Sequence, residues 1–576
     1  MSKSFEIPSS GTKKRRQAID LLTICASVVI AVVAIQTNLV PYDAGMGDHH
    51  VILPAGLLRA DSSLYLGDYF IRAAIMPHWF FEYLTTFASK IEQLNLFFFI
   101  FWLITIAVFA YANLLLAKTV MERNIHLTAL LIMSAQIMGV RTMFGTSSVV
   151  LEQALPHSLA ASITFLILAM WIRGDRKYLF ILLPCIPVIH IQIGAIALGL
   201  IAMLVAIGWL QGNRPRLIHL ALVGLTVVTT LFGLVLRPVA GNTKEFSEIC
   251  KRLIPHHCYA PSWSNEKIAF CIVFVLLGLC LVLLVEDDRI SKPFRLVVIG
   301  LPIAVLTFSL ALDRFSDGPL TDLVRGNNIY RLAVVVVPFL YWAPLLIWRN
   351  NKRSIQSITG SILSGLLLVL LLLIPGHGSR FEATPVLLLW LMAVAIVTFW
   401  CRNLIERSNC YKSLLVLIST LLITTGATTF NEQPFSFPNL QFIPNENQRV
   451  FGEALKKSVP NGKAVAGDPI NYWIRMASGV GYAVDCKFRP IGGGEPLKEF
   501  YKRLQPLGGY EEACLNYSFN AAAASQLDNF ARASDAELLL LISTDNRIND
   551  LLSTGWATLS APALDAVGYV LLEIKS

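Results

Sequence analysis

Asp48, His49 and His50 stand in a row just before an apolar piece of chain. The segment around them, Pro41 to about Gln93, also carries Asp43, Asp61, Asp68, His78 and Glu82. A carboxylate beside imidazoles offers two chemistries. It can take a proton from a hydroxyl, with Asp48 as the base and Asp43 as its understudy. It can also help hold a divalent metal, for which Asp48 and His50 are the candidate ligands. The same residues suit a helix start, with Asp48 accepting backbone N–H groups as an N-cap and the imidazoles in water. Asp61, followed by Ser62 and Ser63, and Asp68 are equally good caps. A mere connector needs only a handful of residues, so a loop of this length invites a function.

Further polar side chains recur at or near the ends of apolar runs: Arg141, Glu152 and His157, then His190 and Gln192, then Arg325 and Arg331, and finally Arg380. Ionisable groups at membrane depth are costly and are functional candidates by default. Arginine in particular grips phosphate and carboxylate through its planar fork. Snorkelling or helix packing is the competing role for any one arginine. For His190, flanked on both sides by apolar chain, the competing role is an uncharged ring bonded to a carbonyl.

The elements that must position these groups are set by composition. Of 576 residues, 55% are apolar and 15% charged, against about 25% charged in soluble domains. Mean hydropathy is +0.60. This excludes an ordinary cytosolic enzyme, a disordered chain, a coiled coil and a disulfide-rich secreted scaffold, and predicts a mainly α, polytopic transmembrane bundle. Thirteen apolar runs are candidate spans, near 18–40, 94–117, 127–142, 156–172, 178–190, 193–210, 217–236, 268–285, 295–312, 330–348, 354–374, 385–400 and 413–430. The run 18–40 reads as an uncleaved first span rather than a signal peptide. The fifth and sixth runs are short and suggest a hairpin or tilted pair with its apex near His190.

The net charge of +9 is a matter of topology, not of nucleic acid. With the basic N-terminus 1–17 inside, the seven inside segments hold 21 Lys and Arg in 64 positions, against 13 in 129 positions of the outside loops. That asymmetry follows the positive-inside rule. It places the loop 41–93 and residues 431–576 outside, in the periplasm if the membrane is a bacterial inner membrane. Residues 431–576 lack spans. Short apolar runs at Lys463–Ala466, Tyr482–Cys486, Leu538–Ile542 and Val567–Ile574 alternate there with helical patterns at Asn447–Lys457, Glu495–Leu504, Ala521–Ala533 and Asp545–Leu552, which predicts an α/β domain. The outside segments hold cysteines in pairs, Cys250 with Cys258 and Cys486 with Cys514, as disulfide bonding requires.

This layout resembles the GT-C superfamily of polytopic glycosyltransferases, which includes protein mannosyltransferases and lipid-A aminoarabinose transferases. His50, Leu57 or Leu58, Asp61, Leu64, Tyr65 and Asp68 resemble, more closely, a group of bacterial membrane proteins with GT-C-like architecture. His190 and the stretch Cys486-Lys487-Phe488-Arg489-Pro490 add to the likeness. The resemblance implies a sugar donor linked to a polyprenyl phosphate, an acceptor that is a lipid, glycan or protein, and an acidic residue of the first exterior loop as base or metal ligand. Carried onto this chain, that residue is Asp48. The common adjacent acidic pair is replaced here by Asp48-His49-His50. On the same expectation His49, His50, Asp61, Asp68, Arg141, Glu152, His157, His190, Gln192, Arg325, Arg331 and Arg380 contact substrate. No cofactor beyond a possible divalent metal is expected. A transporter or flippase-like protein is one alternative. The other is an O-antigen polymerase or ligase, for which the loop 237–267, with Arg237, Lys244, Lys251, Arg252, His256 and His257, speaks.

The charge asymmetry makes the topology testable. Alkaline phosphatase fused within 431–576 is expected to be active, and fused at 173–177 or 349–353 inactive. Strong activity at both basic loops would overturn the orientation.

Overall fold

The computed structural model describes residues 10–36, 42–373 and 441–575, apart from 43, 46, 74–77, 123, 139–141, 145, 148–152, 214, 237–241, 287–288, 349–354 and 444. Within them seven helices are long and apolar enough to cross a membrane: Gln17–Gln36, Leu94–Val120, Pro156–Arg173, Ile191–Leu210, Leu217–Val235, Asn265–Leu284 and Lys292–Phe315. An eighth is counted if Pro319–Gly326 and Ile329–Leu340, bent by 52°, are one span. Ile125–Met138 and Ile355–Leu373 are further apolar helices. The expected spans 385–400 and 413–430 lie outside the described residues.

Proline decides where the expected spans break. The run 178–190 is two short helices, Arg176–Leu182 and Cys185–Ile189, because Pro184 and Pro187 cannot donate the backbone bonds that a continuous helix needs. The run 330–348 divides into Ile329–Leu332, Ala333–Leu340 and Ala343–Trp348. Pro338 sits inside the second of these, and Pro344 leaves the Leu340 carbonyl without its helical donor.

The first loop is structured. His49–Ile52 and Pro54–Ala60 are short helices, followed by Tyr69–Ala73 and Trp79–Lys90. Gly56 lets the second cross the last closely: a Cβ there would come within 2.6 Å of the Glu82 carbonyl, and Thr86 Oγ1 donates to the Gly56 carbonyl at 3.0 Å.

The C-terminal region carries a five-stranded mixed sheet in the order Gly481–Tyr482, Ala464–Ala466, Leu538–Ile542, Tyr569–Ile574, Trp556–Leu559. The first three are parallel and the last two pairings antiparallel. Helices Glu446–Ser458, Glu495–Leu504, Ala524–Ala533 and Ile548–Ser553 accompany it. The strand Trp556–Leu559 was not among the expected ones. It is four residues long and partly exposed, so it lacks an apolar run.

A buried ion cluster joins this region to the first loop. Arg475 Nε donates to Asp68 Oδ2 at 2.7 Å and Arg475 Nη1 to Asp485, with all three side chains at most 1% exposed. Asp68 Oδ2 also accepts the Tyr482 N–H at 3.1 Å, and its Oδ1 those of Phe70 and Ile71 at 3.0 and 3.2 Å. Around it, the Tyr65 N–H donates to the Gly479 carbonyl at 2.7 Å. Gly481 lies so close to the Leu66 carbonyl that a Cβ would come within 2.2 Å. Removing one partner of a buried pair strands the other charge, which costs about 3–5 kcal/mol. Arg475→Met, which leaves the buried Asp68 and Asp485 carboxylates without their cation, is therefore expected to lower the thermal stability of the C-terminal region by that order and to open it to protease. Unchanged melting would show the cluster to be dispensable.

Candidate functional site

The chain before Asp48 is shaped by two glycines in the left-handed region, Gly45 (φ 81°) and Gly47 (φ 55°). A Cβ on Gly47 would meet Gln153 Nε2 at 2.2 Å, and the Asp48 N–H donates to Gln153 Oε1 at 3.3 Å. His49 closes this turn. Its Nδ1 accepts the Gly45 N–H at 3.0 Å and its Nε2 donates to the Ala154 carbonyl at 3.1 Å. Both ring nitrogens are thereby used by a neutral imidazole, and burial pushes its pKa down to about 4. His49 braces the first loop against the chain that enters the helix Pro156–Arg173.

Asp48 occupies the N-cap position of His49–Ile52, but its backbone is helical (φ −72°, ψ −16°) and its side chain makes no cap bond. The carboxylate points instead to the C-terminal region, where Lys487 Nζ lies 2.8 Å away, and it stays 53% exposed. Desolvation pushes its pKa up, but the adjacent Lys487 ammonium outweighs this, with help from the His157 and His257 imidazoles, and holds it below the usual carboxylate range. His50 behind it is buried edge-on to Tyr472, ring centres 4.9 Å apart. Among the described residues neither of its nitrogens has a hydrogen-bond partner, and burial first, then the neighbouring ring and cations, push its pKa down to about 3.

Lys487 is itself held. Asp485 Oδ1 accepts the N–H groups of Lys487 and Phe488 at 2.9 and 2.5 Å, so the buried ion cluster fixes the backbone from which Lys487 reaches Asp48. Cys486 beside it is bonded to Cys514, and Cys250 to Cys258, with Cα separations of 5.5 and 5.7 Å.

A second group lies at the corner before Ile191–Leu210. His190 is its N-cap, with Nδ1 facing the Ile193 N–H at 3.3 Å and Nε2 facing Arg331 Nη1 at 2.9 Å. Both neighbours only donate, and a neutral imidazole has a single acceptor nitrogen, so the two compete for one lone pair. The rings of His78 and His157 lie 5.0 and 6.5 Å from that of His190. Burial, then Arg331, push the His78 pKa down to about 4, and its Nδ1 is buried without a partner. Among the described residues no carboxylate lies within ion-pair distance of Arg331. Asp48 is the acid whose field reaches it.

Other expected site residues are placed elsewhere. Asp68 is locked in the ion cluster with Arg475. Arg325 is saturated by Asp313 at 2.5 Å and Asp317 at 2.9 Å, so it cannot serve as a free phosphate grip. Asp61 accepts the Ser63 N–H and Oγ–H at 2.9 and 2.6 Å, the local turn its neighbours suggested. Gln192 Nε2 donates to the Asn327 carbonyl at 2.6 Å and ties the His190 corner to the segment leading to Arg331. Asp43, Arg141, Glu152 and Arg380 lie outside the described residues. Lys487 and His78 were not expected in the site. Lys487 is 439 positions from Asp48, and its signals were its place beside a paired cysteine and in the stretch 486–490 that adds to the GT-C-like resemblance.

Among the described residues no group of three or more His, Cys, Asp or Glu side chains stands close enough to hold a metal ion. Asp48 already faces an ammonium, and His49 has both nitrogens engaged.

Fold and site together define a mostly helical, multi-pass membrane protein whose first loop and C-terminal region meet at Asp48. No protein-family model and no curated protein matches the chain in sequence. Among solved structures it is similar to archaeal oligosaccharyltransferase AglB from Archaeoglobus fulgidus in complex with an inhibitory peptide and a dolichol-phosphate, at 12% identity and a TM-score of 0.41, over 90% of this chain and 69% of that one. A crystal structure of the Archaeoglobus fulgidus oligosaccharyltransferase tethered with an acceptor peptide is similar at 10% identity and a TM-score of 0.36, with the same coverage.

Because Asp48 caps nothing and its ion pair is half-exposed, its stability contribution is that of a surface pair, about 0–1 kcal/mol. Asp48→Ala is expected to leave thermal unfolding almost unchanged. A loss of 2 kcal/mol or more, about that of the strongest helix caps, would return Asp48 to a structural role.

Proposed function

We propose that the chain is a membrane glycosyltransferase of GT-C-like architecture that moves a sugar from a polyprenyl-phosphate-linked donor to an acceptor hydroxyl at the exterior face of a bacterial inner membrane. One observation supports this reading: a half-exposed carboxylate, paired with Lys487, acts electrostatically on a part-buried arginine that has no acid partner among the described residues and is bonded to one of three neighbouring imidazoles. A base beside an acid-free cationic nest suits a reaction in which one substrate loses a proton and the other releases a phosphate.

In this reading the acceptor O–H proton passes to Asp48 Oδ2, the oxygen not bonded to Lys487. The acceptor oxygen forms a bond to the anomeric carbon as the bond from that carbon to the phosphate oxygen breaks. The bonding pair leaves on the polyprenyl phosphate, which gains one negative charge as Asp48 loses one. Arg331 offers donors to that growing charge, and His78 and His157 line the same corner. Their rings need not ionise, since neutral N–H groups also donate.

Asp48→Asn keeps size and fold but cannot accept a proton. It is expected to lower transfer by about 10²–10⁴-fold, read by mass analysis of surface glycans in a deletion strain complemented with the variant at matched abundance. Parental glycan levels would overturn the catalytic role. The pH profile gives an independent check. Asp48 has a depressed pKa, so it is ionised at and above the ordinary carboxylate range, and the acid limb of kcat/KM lies below that range. In Lys487→Met the lowering influence is gone and desolvation remains. The Asp48 pKa then rises, and the acid limb moves to higher pH. An unmoved limb would dissociate Asp48 from proton transfer.

A further inference from the structure

Resting on the transferase reading, we infer that the acceptor carries a phosphate group, which docks on a cationic rim built by Lys487, Arg489, Lys267 and His256 beside Asp48.

The rim is distinct from the Arg331 nest and is assembled from two segments, 253–267 and 486–494, whose only acid is Glu266. Arg489 donates through Nε to the Cys486 carbonyl at 2.7 Å and through Nη1 to the Leu253 carbonyl. Lys267 Nζ donates to the His256 carbonyl at 2.6 Å and lies 4.1 Å over the Trp263 ring. Two cations from separate elements thus grip the chain on either side of the His256–His257 pair, whose rings are 4.1 Å apart. The Cys250–Cys258 bond closes the same loop. Among the described residues, the only carboxylate bonded to Lys487, Arg489 or Lys267 is Asp48. Glu266, next to Lys267 in sequence, is turned to the Ser264 side chain. Lys267 is bonded to the His256 carbonyl and Arg489 to the Leu253 carbonyl of the same short loop, Lys487 lies two positions before Arg489, and all four groups are at least partly exposed.

Such a surplus of positive charge beside a single acid suits an anion larger than Asp48 can balance. Carbonyls satisfy some N–H groups but neutralise no charge. A phosphate on the rim would draw Lys487 from Asp48, and the carboxylate, freed of its ammonium, becomes a stronger base when an acceptor is in place. Lys487 in this arrangement is a positioning residue that couples acceptor binding to the basicity of Asp48.

The test is calorimetric binding to the full chain in nanodiscs of neutral phosphatidylcholine, with four probes: dihexanoyl phosphatidic acid, glucose 6-phosphate, glucose and inorganic phosphate. Wild type is expected to bind the first or second and not glucose. Losing one charge-assisted bond weakens binding by about tenfold or more, so Lys487→Met should do this, Lys487→Arg should restore it, and exposed His256→Ala should weaken it less. Arg331→Met should leave this rim binding in place. Preference for phosphatidic acid would make the acceptor a lipid headgroup, and preference for glucose 6-phosphate a soluble glycan phosphate. Inorganic phosphate binding as tightly as both, or Lys487→Met binding every probe like wild type, would overturn the inference. Binding is read without turnover, so loss of transfer with rim binding intact overturns the transferase reading alone. Transfer to neutral sugars without rim binding overturns this inference alone.

Discussion

The buried contact between Asp68, Arg475 and Asp485 is the constraint on which the site depends. A guanidinium sealed from water at 1% exposure is tolerable only if charge and hydrogen bonds are matched closely. Here one carboxylate comes from the first loop and the other from the C-terminal region. Separating the segments would break the bonds of Asp68 to Arg475 and to the Tyr482 N–H, so they are held in one register although more than four hundred residues separate them. The consequence reaches the chemistry through Asp485. The carboxylate that balances Arg475 also orders the Lys487 and Phe488 amides, and Lys487 then meets Asp48.

Burial sets the protonation of the site as strongly as contacts do. His49, His50 and His78 all lose affinity for protons chiefly because burial disfavours a charged ring, and for His50 and His78 nearby cations reinforce the effect. The imidazoles are therefore neutral hydrogen-bonding groups at physiological pH, and the positive charge of the site resides in arginine and lysine. Asp48 escapes the same fate because half of it is exposed and its partner is an ammonium. The result is an ionised acid paired with one permanent cation, beside rings that carry no charge.

Charged side chains were assigned to the site from their position at the ends of apolar runs, and that signal is ambiguous for a physical reason. An arginine that neutralises a structural acid and one that awaits a ligand occupy the same kind of position. Arg325 and Arg331 are six residues apart, yet Asp313 and Asp317 consume the first, and among the described residues the second side chain is bonded to His190. Which acid lies opposite is a question of helix packing.

The sequence by itself determined the membrane-protein class, most of the long helices and strands, the structured first loop and the cysteine pairs, because these follow from apolar run length, period and local turn chemistry. It also singled out Asp48, His190 and Arg331. It did not determine whether Asp48 caps a helix: only the folded chain shows a helical backbone at Asp48 and a carboxylate turned toward Lys487. It likewise could not separate the locked Asp68 and Arg325 from the open Arg331, or bring Lys487 and His78 into view. Those distinctions rest on which charge faces which across hundreds of residues. Coulomb energy and desolvation depend on distance in space and on exclusion of water, and neither is encoded by spacing along the chain.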